Sequence, residues 1–188
     1  MNDPSYTQLP ANLPVPQDDG AGGHLLGQCL PDIPLPSTSG LAVNVRQQKG
    51  VVVIYVYPLT GRPGVALPDG WDAIPGARGC TPESCGFRDH YREIQRAGAE
   101  VFGLSTQSTD YQSEVRDRLR LPFDLLSDER FAFTDALNLP TFEAASLRLL
   151  RRLTLIAVEG VIEHVFYPIF PPDQHAGEVV AYLQGRSF

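Results

Sequence analysis

The sequence is poor in cysteine, in basic residues and in long apolar runs, and each shortage excludes a class of protein. Its 188 residues include three cysteines, an odd number that is too small for a scaffold held together by disulfides. The 15 basic residues against 22 acidic ones give a formal net charge of −7, which argues against a nucleic-acid-binding protein. No apolar run approaches the roughly 18 residues that a membrane-spanning helix needs, so we expect no membrane association.

The N-terminal segment also lacks the basic region and apolar stretch of a secretory signal, so we expect a cytoplasmic protein. The remaining composition, 43% hydrophobic and 20% charged, is ordinary for a globular protein. The length fits one folded domain with room for a tail.

Proline and glycine are concentrated in two places. Residues 1–40 contain seven prolines, which disfavour regular structure, and we expect a partly docked arm anchored by apolar residues such as Leu25 and Leu30. Residues 41–188 are then the folded domain, with a Gly- and Pro-rich loop inserted over 61–76.

Strands and helices alternate through the first part of that domain, and a hairpin and a helix close it. The β-branched and aromatic run 51–57 predicts a central strand buried on both faces. A helix is predicted to begin near Thr81, with Thr81 as N-cap and Pro82 at the first helical position. The fold class is therefore α/β, a mixed central sheet with helices on both faces. The other predicted elements are strands over 41–45, 100–104 and 125–126, helices over 109–119 and 128–137, a hairpin over 153–158 and 161–167, and a last helix around 176–183.

Cys80 lies at the predicted N-terminus of the helix that follows the loop. Unpaired backbone N–H groups and the helix dipole favour a thiolate there, as expected of a reactive cysteine with a lowered pKa. The alternative from position alone is a small buried apolar residue.

Cys85 follows five residues later on the same predicted helix. Helical geometry separates the two Cα atoms by roughly 8–9 Å, beyond the about 7 Å that a disulfide allows. The pair can therefore bond only if the first turn unwinds, which predicts a redox switch. A zinc site is disfavoured because four residues separate the cysteines and no second ligand pair is evident. The histidines show no pairing and are scattered at His24, His90, His164 and His175.

Residues 79–89, Gly-Cys-Thr-Pro-Glu-Ser-Cys-Gly-Phe-Arg-Asp, resemble the active-site segment of the peroxiredoxins. The resemblance is to the peroxiredoxin Q branch, also called bacterioferritin comigratory proteins, with its pattern G-C-T-x-[EQ]-x-C-x-[FL]-R-D. Weaker matches follow at 101–106, 121–128 and 151–160, and the resemblance covers about residues 25–187.

The resemblance implies a thioredoxin-like fold and thiol-dependent reduction of hydrogen peroxide or organic hydroperoxides, without a cofactor or metal. Cys80 would be the peroxidatic cysteine, oxidised to a sulfenic acid, and Cys85 the resolving cysteine of an atypical 2-Cys peroxiredoxin. Thioredoxin or a similar dithiol would reduce their intramolecular disulfide. Because that disulfide needs no second subunit, a monomer or weak dimer is expected.

The same resemblance identifies Arg151 as the active-site arginine, with Arg152 as the alternative because a one-residue slip exchanges the two faces of a strand. Glu83 matches the acidic or amide residue that supports this arginine. The family's Thr or Ser three residues before the cysteine is Ala77 here, which makes Thr60 the candidate for the missing hydroxyl.

Because of Ala77, a thioredoxin-fold redox sensor or binding module with weak peroxidase activity remains the alternative function. A dithiol oxidoreductase is disfavoured by the absence of a C-x-x-C motif. Cys29 is expected to be a bystander. Trp71, in the inserted loop, is either a residue that fills the hydrophobic core or a contact for a reductant or substrate.

Overall fold

The computed structural model of the protein describes residues 4–186. Within this range the helices are α1 (Pro4–Thr7), α2 (Cys80–Arg96), α3 (Thr109–Leu119), α4 (Ala132–Leu137) and α5 (His175–Gln184). The strands are β1 (Leu35–Pro36), β2 (Ala42–Val43), β3 (Val51–Val56), β4 (Ala99–Ser105), β5 (Leu125–Ser127), β6 (Thr141–Ala144), β7 (Leu147–Leu150), β8 (Leu153–Val158) and β9 (Val161–Phe166).

A five-stranded mixed sheet forms the centre of the molecule, in the order β5-β4-β3-β8-β9. Strands β3, β4 and β5 are mutually parallel, whereas β8 runs antiparallel to both β3 and β9. The apolar run of β3 therefore occupies the middle of the sheet, as the sequence predicts. The α/β fold class with a mixed sheet is confirmed.

The two faces of β3 pack against different layers. Val53 and Tyr55 belong to a core shared with α2, α3 and α5, whereas Val52 and Ile54 belong to a core shared with α4. Burial on both faces accounts for the uninterrupted apolar pattern of this strand. Helices therefore cover both faces of the sheet, as expected.

Part of the proline-rich N-terminal segment packs onto the second of these cores. Leu25 and Leu30 have no exposed surface there. The Leu30 N–H donates to the carbonyl of Gly160, and Cys29 forms a β-bridge with Val161 at the start of β9. Apolar burial and backbone pairing thus hold this stretch at the sheet edge.

Helix α2 begins two residues earlier than predicted. Its N-cap is Gly79 rather than Thr81, with a left-handed φ of +109° that favours glycine. A Cβ at this position would collide with Pro172 and would lie 2.9 Å from Cδ2 of Leu9. Close packing on both sides therefore also requires glycine immediately before Cys80.

One further local prediction is corrected, and one hairpin has no counterpart among the predicted elements. Helix α4 starts at residue 132 rather than 128, and the Asp128 carboxylate caps it by accepting the N–H groups of Phe133 and Thr134 at 3.0 and 2.7 Å. The hairpin of β6 and β7 was not predicted. Its turn consists of Ala145 and Ser146, both at positive φ, without the Gly, Asn or Asp that usually indicate such a turn.

Within the described part of the chain, no helix is sufficiently long and apolar to cross a lipid bilayer. The same residues contain no group of three or more His, Cys, Asp or Glu side chains that could hold a metal ion.

His175, the first residue of α5, is a buried titratable group beneath the central sheet. Its Nε2 lies 2.8 Å from Oγ1 of Thr154, and its Nδ1 lies 3.1 Å from a carboxylate oxygen of Glu178. Burial lowers the pKa of His175 to about 4; Arg152 adds to this effect, and Glu178 opposes it. The folded state therefore holds this imidazole neutral at pH 7.

We predict that this histidine destabilises the protein in acid. As the pH is lowered, the unfolded chain takes up the imidazole proton near pH 6.5, before the folded chain does. The free energy of unfolding therefore decreases as the pH drops from about 6.5 to the folded-state pKa near 4. The shift corresponds to about 3 kcal/mol of unfolding free energy across that window. Urea unfolding at a series of pH values, in wild type and His175→Gln, measures the difference. A constant difference between the two curves would contradict the prediction.

Candidate active site

Cys80 is the first residue of α2 and lies beside the carboxyl end of β3. Its side chain is 2% exposed. The backbone N–H of Leu59, just beyond β3, points to the sulfur, and the Sγ atom lies 3.6 Å from the carbonyl oxygen of Ala77. The helix N-terminus and the Leu59 N–H favour a thiolate, whereas the Ala77 carbonyl accepts from the thiol and favours the protonated form.

Arg152 connects the cysteine to the acidic residue one turn along α2. Its Nη2 donates to Cys80 Sγ at 3.1 Å, and its Nη1 forms an ion pair with the Glu83 carboxylate. All three side chains are buried, with exposures of 2%, 4% and 0% for Cys80, Arg152 and Glu83. The remaining guanidinium hydrogen bonds, at 3.2 to 3.3 Å, go to the carbonyl oxygens of Gly76, Ala77 and Arg78.

The structure corrects the choice between the two adjacent arginines. Arg151 is not at the cysteine: its Nε donates to the Thr141 carbonyl at 3.3 Å, and its Nη1 lies 3.8 Å from the Asp19 carboxylate. Successive residues of a strand face opposite sides of the sheet, so Arg152 shares its side with Thr154, which contacts α5. Arg152, which the sequence analysis gave as the alternative, is therefore the arginine at Cys80.

Burial changes the acidity of this cluster. It raises the pKa of the Cys80 thiol above its ordinary value, opposed by the charge and hydrogen bond of Arg152 and by the Leu59 N–H. The lowered pKa predicted from the helix terminus is therefore not found in this closed conformation. Burial also raises the pKa of Glu83 to about 7 in spite of Arg152, and its Oε1 has no hydrogen-bond partner among the described residues.

The hydroxyl expected from Thr60 is directed elsewhere. Its Oγ1 donates to Oε1 of Gln107 at 2.9 Å. Thr81, which the sequence suggested only as a helix cap, instead lines the cavity next to Cys80. Its position directly after the cysteine was the signal that could have identified it.

A small, partly open cavity of about 10 Å³ lies beside Cys80, and this volume is close to the minimum that holds one water molecule. Trp71 forms part of its wall and is 3% exposed. The indole also packs in a small apolar cluster with Ala77 and Leu149, so it is both a core residue and a wall of the site. The other lining residues are Tyr6, Leu59, Gly61, Leu67, Arg78, Gly79, Cys80 and Thr81.

Cys85 is held away from Cys80 by the intact helix. Both thiols are free, and Cys85 is partly buried beside Arg88. Cys29 is exposed and bridges Val161, at the opposite end of the sheet from Cys80. Of the residues predicted from the sequence, the structure brings Cys80 and Glu83 together and places Cys85 within the same helix.

Comparisons with known proteins agree with this geometry. The Redoxin family model matches residues 25–182. Peroxiredoxin Q of Oryza sativa subsp. japonica, a chloroplastic protein, is 30% identical over 184 residues, covering 95% of this chain and 77% of that protein.

Two solved structures share the fold. The crystal structure of the peroxidoxin BcpB from Mycobacterium tuberculosis has a TM-score of 0.69 and 25% identity, covering 86% of this chain and 98% of that one. The Xanthomonas campestris bacterioferritin comigratory protein, described for its alkyl peroxide reduction activity, has a TM-score of 0.64 and 21% identity, covering 92% and 98%. These neighbours are thioredoxin-fold proteins, which confirms the expected fold.

Proposed function

Because the chain belongs to the redoxin family and is related to the peroxiredoxin Q proteins, we propose that Cys80 reduces hydrogen peroxide or organic hydroperoxides and that Cys85 resolves the oxidised product. Family membership supports thiol-dependent peroxidase activity. The observation that carries the residue assignment is the 3.1 Å hydrogen bond from Arg152 to the Cys80 sulfur. A charged donor at this distance stabilises a thiolate and the negative charge that develops during attack.

In the first step the Cys80 thiolate attacks one oxygen of the hydroperoxide. A sulfur–oxygen bond forms as the oxygen–oxygen bond breaks, so the sulfur is oxidised to a sulfenic acid and the peroxide is reduced. The other oxygen departs as hydroxide or alkoxide and takes a proton from water. Arg152 holds the sulfur during this step, and Glu83 holds Arg152.

In the second step Cys85 attacks the Cys80 sulfur, a disulfide forms and water leaves. The first turns of α2 must unwind for this, because the helix keeps the two residues apart. Gly86 lies inside these turns, and glycine costs a helix about 1 kcal/mol relative to alanine. The turn that carries Cys85 is therefore intrinsically weak.

A dithiol such as thioredoxin would return the disulfide to two thiols. This cycle needs a reducing compartment, so the cytoplasm is the proposed location. It is complete within one chain, so a monomer suffices.

We predict that Cys85→Ser stops at the sulfenic acid. After one equivalent of hydrogen peroxide, dimedone should label Cys80 in this variant but not in the wild type, where the disulfide forms first. Mass spectrometry of the tryptic peptides measures both products. A disulfide between Cys80 and Cys29 in the variant would contradict the assignment of Cys85 as the resolving cysteine.

A redox sensor is the second candidate function. It is favoured by the 2% exposure of Cys80 and by burial, which raises the pKa of its thiol, because both slow oxidation. Steady-state turnover with thioredoxin separates the two functions, since a sensor is oxidised without sustained peroxide consumption.

A further inference from the structure

The N-terminal helix α1 and the residues after it lie against the N-terminus of α2, where Cys80 is located. Tyr6 of α1 lines the same small cavity as Cys80. Leu9 lies against Gly79, the N-cap of α2. A segment more than 70 residues distant in sequence therefore closes the space over the reactive thiol.

The Tyr6 side chain is held mainly by packing of its ring and by one hydrogen bond of its hydroxyl. Its ring lies directly on Gly61, where a Cβ would collide with it. Its hydroxyl donates to the Val65 carbonyl at 2.5 Å, and the Arg78 guanidinium lies 5.8 Å from the ring centroid. Because the helix that carries it has only four residues, this segment can open locally at low free-energy cost.

The small cavity beside the buried Cys80 limits what reaches the sulfur. Its volume of about 10 Å³ admits a molecule near the size of water, which suits hydrogen peroxide better than a hydroperoxide with an alkyl group. Leu59, Leu67 and Trp71 contribute apolar side chains to the cavity wall, beside the polar residues Arg78 and Thr81. Once the Tyr6 ring moves away, an alkyl group would have room to contact these apolar side chains.

We propose that Tyr6 is a gate residue that determines, by size, which molecules reach Cys80. With Tyr6 seated, hydrogen peroxide enters; a bulky alkyl hydroperoxide reacts only in the fraction of molecules in which α1 has opened. The choice of hydroperoxide rests on the proposed function, whereas access to the thiol does not.

Alkylation of Cys80 tests access without any peroxidase activity. In a Cys29→Ser/Cys85→Ser background, Tyr6→Ala should accelerate labelling by a large maleimide dye at least about tenfold more than labelling by iodoacetamide, because a bulky reagent depends on the open fraction. Tyr6→Phe keeps the ring, so its labelling rates with both reagents should match those of the Cys29→Ser/Cys85→Ser protein. If Tyr6→Ala accelerates labelling by both reagents equally, or by neither, the proposal that Tyr6 is a gate residue is overturned.

The same substitution in the full-length protein with all three cysteines should raise the ratio of kcat/KM for cumene hydroperoxide over hydrogen peroxide by at least about tenfold. An unchanged ratio in an active enzyme overturns the gate and leaves the proposed function standing. Absence of peroxide consumption in wild type and variant, together with size-selective alkylation, would support the gate and overturn the proposed function.

Discussion

Replacing Cys80 with serine is expected to lower kcat/KM for hydrogen peroxide by a factor on the order of 10⁴ or more, because the proposed mechanism uses its thiolate as the nucleophile. A serine hydroxyl stays protonated near pH 7 and is a far weaker nucleophile toward the peroxide oxygen. The small volume change fits the buried position, so the fold should be preserved. Stopped-flow measurement of peroxide consumption by the pre-reduced protein determines the loss.

Cys29→Ser is the matched control for this experiment. Cys29 is exposed and lies at the far end of the sheet, so its removal should leave the rate at the wild-type value. If Cys80→Ser retains more than a few per cent of the activity, or if the two variants lose activity equally, Cys80 is not the peroxidatic residue.

The second large effect is expected at Arg152. Arg152→Lys keeps a positive charge, but one ammonium group cannot reach the Cys80 sulfur, Glu83 and three carbonyl oxygens at once. We expect kcat/KM to fall roughly 10²-fold, the scale of losing one preorganised donor to developing charge. Lysine is preferred over a neutral residue, which would leave Glu83 without its cationic partner.

Arg151→Lys provides the comparison, because Arg151 points away from the cluster and is part-exposed. Its kcat/KM should stay within about twofold of the wild type, consistent with a surface substitution. Thermal unfolding of both variants shows whether the fold persists. Similar losses in the two variants would assign no special role to Arg152.

Much of this site follows from the sequence, and the exception at the arginines has a clear cause. The strand 153–158 is apolar at nearly every position because both of its faces are buried. Its pattern therefore carries no alternation to show which of Arg151 and Arg152 faces Cys80. In a strand with one solvated face, polar and apolar residues alternate, and this alternation would have shown which of the two arginines faces Cys80.

The acidity of Cys80 was mispredicted for a different reason. The helix terminus is visible in the sequence, but the burial that raises the pKa of the thiol comes from distant segments such as Tyr6, Trp71 and the chain around Arg152. Long-range packing of this kind leaves no local signal. By contrast, the bounds of α3 match the prediction, because that helix has a Ser108 cap and a regular apolar spacing.

Trp71 can serve as an intrinsic fluorescence probe of the candidate active site. It is the only tryptophan of the chain, and its indole shares a cavity wall with Cys80. Indole emission shifts when water enters its surroundings, so the fluorescence of the unlabelled protein originates at the site itself. The proposed oxidation, opening and reduction can thus be tested in real time on the native chain.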